Sequence, residues 1–416
     1  MTETNLSIEP AEESMLDIQQ RNKRYVQIDA VGIGLANAAS PFLPVFLTRL
    51  NATSTQVGLL SSMPGITGLL LAIPIGRFLQ SRKYIVPWFS LARLLVVSSY
   101  ALTGLIPFLV PREIVIPMVL LIWAFATLPQ TMVAVCFSVV MNSVAGPEGR
   151  FDLMSRRWSI LGLTSAISVA IVGLLLDKIN FPINYQVVFL GLSLGGLISY
   201  YFSSRIQLPP SETPPPKSPD RSLINNIRTY VALIRSEPAF VSFTLKRFVF
   251  LSGIAFAAPL FPLYYVREVH ASDAWIGIIS TAQTFVLVVG YLLWVRLTHR
   301  RGSRFVLLVS TLGMSVYPAL VASTHNTALL VVFAGVTGIF QAGVDLVFFD
   351  ELMKTVPPEF SPTFVSLAQS IQYLSAIFAP LIGTFLAEHI GLSNALIISA
   401  VLRLVGFILF ARPNRR

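Results

Sequence analysis

Polar side chains recur every fourth residue inside one apolar stretch of the chain: Thr337, Gln341 and Asp345, within Thr327 to Phe349. Residues four apart stack along one face of an α-helix. An amide and a carboxylate one turn apart can bind a substrate group, a coupling cation or a proton. A competing use for Asp345 is a salt bridge to a basic residue such as Arg247, which would lock a gate. A second carboxylate, Asp29, heads a helical face whose positions 29, 32, 33, 36 and 40 read Asp, Gly, Ile, Ala and Ser. Small residues permit close helix approach or leave room for a ligand. Asp29 fits a carboxylate that changes protonation between two states. It also fits an interfacial carboxylate favoured by a helix N-terminus or paired with Arg24. At the centre of a membrane helix a charge costs about 2.5–3.5 kcal/mol on insertion scales. Each acid therefore needs a partner, a water-filled cavity or a route to the interface.

Further hydrogen-bonding side chains lie within apolar blocks: Asn37, Gln130 with Thr127, Gln283, and Gln369 with Tyr373 four residues on. Each can hold a substrate or bond a neighbouring helix. Arg93 and Arg403 sit inside blocks as well, where they either reach the interface along their stems or contact an anionic group. Pro41 and Pro44, with Pro259 and Pro262 later, interrupt helical hydrogen bonding near block ends. Kinks there either let those ends move or fix the shape of a vestibule. Arg49 and Arg267 follow these prolines, and Glu268 and Asp273 are the acids with which they could close a gate. No nucleophile–base pair, phosphate loop or metal-ligand spacing points to an enzyme, a metal or a cofactor. The one cysteine, Cys136, lies in an apolar run and reads as a small core residue.

These residues must be positioned by membrane helices. The chain is 54% hydrophobic and 12% charged, with mean hydropathy +0.71, whereas soluble domains carry about 25% charged residues. So little charge cannot cover a water-facing surface, and most of the exterior must face lipid. The net charge of +10 comes from basic residues at block ends rather than on one surface, which suits membrane topology and not nucleic acid. Twelve blocks near the roughly 20 residues of a spanning helix are legible. The first six run from about Ile28 to Leu50, Val57 to Leu79, Tyr84 to Leu109, Ile114 to Val140, Trp158 to Leu176 and Asn184 to Ser204. The rest run from Phe240 to Val266, Ala274 to Leu297, Phe305 to Ala322, Thr327 to Phe349, Phe364 to His389 and Asn394 to Phe410. With the N-terminus inside, 24 of the 30 Lys and Arg residues fall on the cytosolic side, which places both termini in the cytosol of a cell (inner) membrane. Residues 1–24 then form a cytosolic tail with no cleavable signal, and 411–416 form a second tail. Between the halves 25–204 and 240–410 runs a cytosolic linker, 205–239. It is proline-rich over Pro209 to Pro219 and carries an interfacial apolar stripe of Leu223, Ile224, Ile227, Tyr230, Val231 and Ile234.

The second half repeats the first. QVGLLSS at Gln56 to Ser62 returns as WIGIIST at Trp275 to Thr281, and Arg77 returns as Arg296 at the same offset of 219. Pro41, Pro44 and Arg49 return as Pro259, Pro262 and Arg267 at 218, and Met141 and Val144 as Met353 and Val356 at 212. Six spans per half give the copies one orientation, about an axis along the membrane normal.

The 6+6 repeat, the long central loop and the basic turns GRFLQSRK (Gly76 to Lys83) and RLTHRRGSR (Arg296 to Arg304) together resemble the major facilitator superfamily across the whole chain. Gly76 and His299 stand where that family usually carries its signature aspartate, and Gln130 is the polar residue in LPQTMVAVCFSVV of span 4. The resemblance implies an all-α integral membrane protein of twelve helices in two pseudo-symmetric six-helix bundles. It also implies a central cavity lined by spans 1, 4, 7 and 10, with Arg77 and Arg296 in gating turns. The expected activity is secondary active transport of a small solute by alternating access, with proton-coupled export of an amphipathic compound as the preferred form. A non-transporting membrane assembly or scaffold protein of the same fold and a lipid transporter are the alternatives. Expected partners are a small-molecule or lipid substrate, protons and membrane lipids. The chain is expected to act as a monomer, with no nucleic acid.

Overall fold

Prolines set the breaks in this fold. A proline lacks the amide proton and crowds the carbonyl of the preceding turn, so a helix stops or restarts there. Span 1 is helical over Glu9–Asn37, turns through residues 38–41, and restarts at Pro41 as the eight-residue helix Phe42–Arg49. Span 7 repeats this, with Pro238–Ala257 followed at Pro259 by Leu260–Arg267. After each short helix one residue takes a left-handed backbone, Asn51 at φ 66° and His270 at φ 53°. These matched turns aim the next helix back across the bundle.

The computed structural model describes residues 9–80, 82–208, 237–355 and 361–412, and every described element is helical. Eleven described stretches are long and apolar enough to cross a membrane, and the 27-residue helix Ser54–Gln80 occupies the place of the remaining expected span 2. Span 3 is Val86–Leu109, span 6 Ile183–Ser204 and span 8 Asp273–Arg301. Spans 9 to 12 are Ser303–Ala322, Thr327–Thr355, Ser361–Ile390 and Leu392–Ala411. Spans 4 and 5 are one helical run of 67 residues, Arg112–Lys178. A straight helix of that length would reach about 100 Å, so the run must reverse. Both of its parts pack into the same half: Thr127 lies 2.6 Å from Thr67 of span 2 through their hydroxyls, and Thr164 packs against Gly34 of span 1.

Span 1 extends further than its apolar block, because Glu9 to Lys23 is rich in helix-favouring Glu, Gln, Ala and Leu. Midway along, it is tied to the end of span 6, where Asn22 Nδ2 donates to the Gln207 carbonyl at 2.7 Å and Arg21 Nη2 donates to Gln207 Oε1 at 2.7 Å. Linker residues 209–236, including the proline-rich run and the apolar stripe, lie outside the described residues.

Among the described residues the buried core falls into three clusters. The largest joins the halves, with Phe42, Phe46, Tyr185 and Phe189 of the first and Leu260, Leu263 and Tyr264 of the second. It lies toward the face carrying the 50–53 and 268–272 turns. Toward the other face, where Ser204, Pro238 and Ala411 lie, the core of the described residues divides. One cluster there (Val26, Phe89, Cys136, Ile206) belongs wholly to the first half, and the other (Phe243, Phe250, Phe348, Phe410) wholly to the second.

The halves meet along two matched seams, span 2 on span 11 and span 5 on span 8. In the second seam a Cβ added at Gly277 would lie 3.0 Å from both Gly173 Cα and the Val169 carbonyl oxygen. Both obstacles are backbone, so neither can rotate away. Gly277→Val is therefore expected to destabilise by about 1–3 kcal/mol. A depressed thermal midpoint of the purified protein in detergent would show this, and an unchanged midpoint would contradict the close packing.

Candidate functional site

Two reciprocal arginines fasten the halves together at the turn-bearing face. Arg49, ending the short helix of the first half, donates through Nε to Asp273 Oδ1 at 2.8 Å and through Nη2 to the Ala271 carbonyl at 3.0 Å. Its Nη2 also lies 2.6 Å from Asp273 Oδ1. Arg267, ending the matching helix of the second half, donates to Ser54 Oγ at 3.0 Å and to the Ala52 carbonyl. Each arginine thus grips the turn that follows the other copy's short helix. The copies differ in one respect, since Asp273 stands where the first half has Ser54, so only one clasp is an ion pair. Tyr185 reinforces it by donating its hydroxyl to Asp273 Oδ1 at 2.8 Å. Thr55 closes the neighbouring seam, donating its amide to Glu388 Oε1 at 3.1 Å. Glu268 accepts from Ser393 at 2.7 Å within its own half.

Directly beneath the clasps is a cavity of about 230 Å³. Pro41, Pro44 and Pro262 form apolar walls, Gln283 and Ser280 supply polar groups, and Tyr265 and Tyr317 form one side. Pro259 is buried at the restart of span 7.

Asp345 has a different setting. Its Oδ1 accepts from Gln341 Nε2 at 2.7 Å and its Oδ2 from the Tyr291 hydroxyl of span 8 at 3.0 Å. Both donors are neutral, and the residue is exposed. Val332 and Val336, 56% and 46% exposed, mark one apolar flank of span 10. At about 100° per residue, the nine residues from Val336 to Asp345 bring the carboxylate round to the opposite side, where Phe349, four residues on, is also exposed. Thr337 is buried and Gln341 half-buried on the same stripe. Arg247 does not meet Asp345. It donates to Gln372 Oε1 at 2.8 Å and lies 6.0 Å from the Phe348 ring.

Asp29 is enclosed. It is 1% exposed and pairs with Arg93 of span 3, itself 3% exposed. Ser199 of span 6 donates to its Oδ1 at 2.6 Å, and Arg157 of span 5 stands 3.7 Å from its Oδ2. Arg24 is exposed, so the partner read from the adjacent sequence is replaced by two arginines from other helices. Spans 1, 3, 5 and 6 converge here at the same depth, which no linear spacing reveals. Arg157 also lies 4.6 Å from the Phe137 ring. Arg403 is 1% exposed and donates from Nη1 to the Met314 carbonyl at 3.0 Å. Neither Arg93 nor Arg403 reaches the interface along its stem.

The other candidates are dispersed. Asn37 and Gln369 are exposed and Gln130 is half-buried. Tyr373 packs across the span 2–span 11 seam onto Gly68. Arg296 is exposed, and the side chain of Arg77 lies outside the described residues. Tyr291, Tyr185, Arg157 and Ser199 were not legible as site residues, because each gains its role from a partner on a distant helix.

Residues 244–416 match the model of the Major Facilitator Superfamily. Among curated proteins, the multidrug resistance protein MdtG of Proteus mirabilis (strain HI4320) is 26% identical over 166 residues, covering 38% of this chain and 41% of that protein. MdtG of Serratia proteamaculans (strain 568) is 29% identical over 167 residues, covering 38% and 40%. The match therefore spans about two fifths of the length of these relatives. Among solved structures, a mutant form of the nucleoside transporter NupG superposes with a TM-score of 0.68 at 13% identity, over 94% of this chain and 99% of that one. A bacterial metal transporter superposes with a TM-score of 0.66 at 14% identity, over 96% and 99%.

Proposed function

For a chain that has the major facilitator superfamily fold, and whose second half matches that family's model, we propose secondary active transport of a small solute by alternating access. The supporting observation is the division of the core. One cluster binds the halves together beneath the Arg49–Asp273 clasp, while toward the chain ends each half has a cluster of its own. Such a molecule is closed on one side and parted on the other, and rocking about the span 2–span 11 and span 5–span 8 seams would exchange the two. In this reading the clasp face is outer and the terminal face cytosolic, as the Lys and Arg distribution indicates. The coupling is to protons and the direction is export of an amphipathic compound. The partial likeness to the MdtG multidrug resistance proteins supports that direction.

Asp345 is the proton-exchanging carboxylate of this reading, with Gln341 and Tyr291 holding it when ionised. In this reading the carboxylate that trades protons with solvent is the exposed one, Asp345, rather than the enclosed Asp29.

The experiment uses Ser280, on the wall of the cavity beneath the clasps. The single native cysteine, Cys136, is buried, so Ser280→Cys provides one reporter. A membrane-impermeant maleimide applied from the outer side should label it slowly. Adding Arg49→Ala and Asp273→Ala should speed labelling about tenfold, the equivalent of about 1.4 kcal/mol taken from the outward-closed state. Equal rates with and without the clasp would count against the reading.

A further inference from the structure

The second half holds a buried positive charge, Arg403, with no acid paired to it among the described residues. At the corresponding depth of the first half, Arg93 meets Asp29 and Ser199. The helix contacts are copied: Gly32 packs on Gly195 and Ser199 of span 6, as Gly253 of span 7 packs on Arg403 of span 12, with Ser399 donating to the Gly253 carbonyl at 2.7 Å. Arg403 therefore takes the place of Ser199. Counted at the same spacing before Gly253 the position matching Asp29 is Phe250, and at the proline offset of 218 it is Arg247; neither is an acid. Arg403 makes one described hydrogen bond, to the Met314 carbonyl, and its Nε is buried without a partner. Burying a charge in a low-dielectric interior is costly unless an opposite charge or strong acceptors compensate it. The one interaction at Met314 is little compensation.

What lies between this charge and the outer cavity is a pair of tyrosines. Tyr317 stands one turn beyond Met314 on span 9, on the same side of the helix as the residue whose carbonyl Arg403 holds. Its hydroxyl lies 3.2 Å from that of Tyr265, both are buried, and both line the cavity. A guanidinium behind two linked hydroxyls polarises them in sequence, so the hydroxyl nearest the cavity becomes a stronger donor. The rest of the lining is largely apolar: Pro41 and Pro44 come from the first half, and Phe261, whose ring packs against Tyr317 at 5.1 Å, and Pro262 share the short helix of Tyr265. The space, about 230 Å³, falls below the roughly 300–1,000 Å³ of pockets for drug-sized ligands and suits a single-ring molecule.

We propose that the cavity beneath the clasps is a subsite for small aromatic acids, whose ring lies against the prolines and Phe261 and whose carboxylate accepts from the Tyr265–Tyr317 pair backed by Arg403. This names the amphipathic solute of the transport reading as a weak acid, and it rests on that reading for its physiological role. Its chemistry can be tested by binding alone. Radiolabelled benzoate would be bound to the purified full chain in lipid nanodiscs, with benzamide and benzylammonium as competitors of matched shape.

Benzoate should bind saturably, benzamide should compete more weakly and benzylammonium not at all. Tyr265→Phe keeps the ring and removes the hydroxyl, and it should weaken benzoate about tenfold. Arg403→Gln should do the same if it folds, and Tyr265→Phe carries the test if it does not. Absence of saturable benzoate binding, competition by benzylammonium equal to that by benzoate, or unchanged affinity in Tyr265→Phe would overturn the subsite. Should benzoate fail to bind while Ser280→Cys still changes its accessibility when the clasp is removed, the weak-acid subsite falls and the carrier stands. Should benzoate bind while Ser280→Cys shows no change, the subsite stands and the carrier reading falls.

Discussion

Asp29→Ala is expected to destabilise the protein by about 3–5 kcal/mol, the range for removing one partner of a buried ion pair. Arg93 and Arg157 would be left facing each other, 3% and 4% exposed, without the carboxylate that stands between them. The loss is mainly the burial of uncompensated charge rather than the worth of one contact. It follows that Asp29→Ala combined with Arg93→Ala should be more stable than Asp29→Ala alone, because the second change removes a stranded guanidinium. Thermal unfolding of the three purified variants in detergent would decide this. Additive losses, with the double variant worse than either single one, would show that the charges do not act as a unit.

Asp345→Asn is expected to abolish proton coupling while leaving the fold intact. The replacement keeps one acceptor, for Gln341 Nε2, and turns an amide donor toward the Tyr291 hydroxyl, which can accept it, so both contacts at 2.7 and 3.0 Å have a neutral counterpart. What disappears is the titratable group to which the proposed transport cycle assigns the proton. In liposomes the variant should still pass solute down its own gradient, yet an imposed pH gradient should no longer drive accumulation. Accumulation at the wild-type level would remove Asp345 from the coupling role. Tyr291→Phe is the companion change, withdrawing one of the carboxylate's two donors from the neighbouring helix.

Much of the fold was legible because membrane spans announce themselves by length and apolarity, and the repeat by residues at nearly constant offset. The matched Pro41/Pro259 restarts and the Arg49/Arg267 pair come from that repeat, and the turns at Asn51 and His270 confirm that the copies fold alike. Gln341 beside Asp345 was legible because residues four apart on a helix must be neighbours, and the structure bonds them. The rest depended on which helices touch. Asp29 meets Arg93 across 64 residues of chain and Ser199 across 170. Arg157 stood among the basic residues at a span end, where charge counting treats every arginine as an interfacial marker. Tyr291 carries no sign of its partner, because an aromatic in a membrane helix ordinarily packs or faces lipid. The division of the described core could not be read from one sequence, since it depends on which helices touch.

Alternating access is the central claim, and paired distances at the two faces test it most directly. Spin labels at Arg112 and Ser323 would report the clasp face, and labels at Lys83 and Arg300 the terminal face; all four residues are exposed. Each pair would be measured by electron paramagnetic resonance with the clasp present and with Arg49→Ala and Asp273→Ala. Opening the clasp should lengthen the Arg112–Ser323 distance and shorten the Lys83–Arg300 distance in the same population. A clasp-face distance that lengthens while the terminal face stays fixed, or two distances that never change, would contradict it.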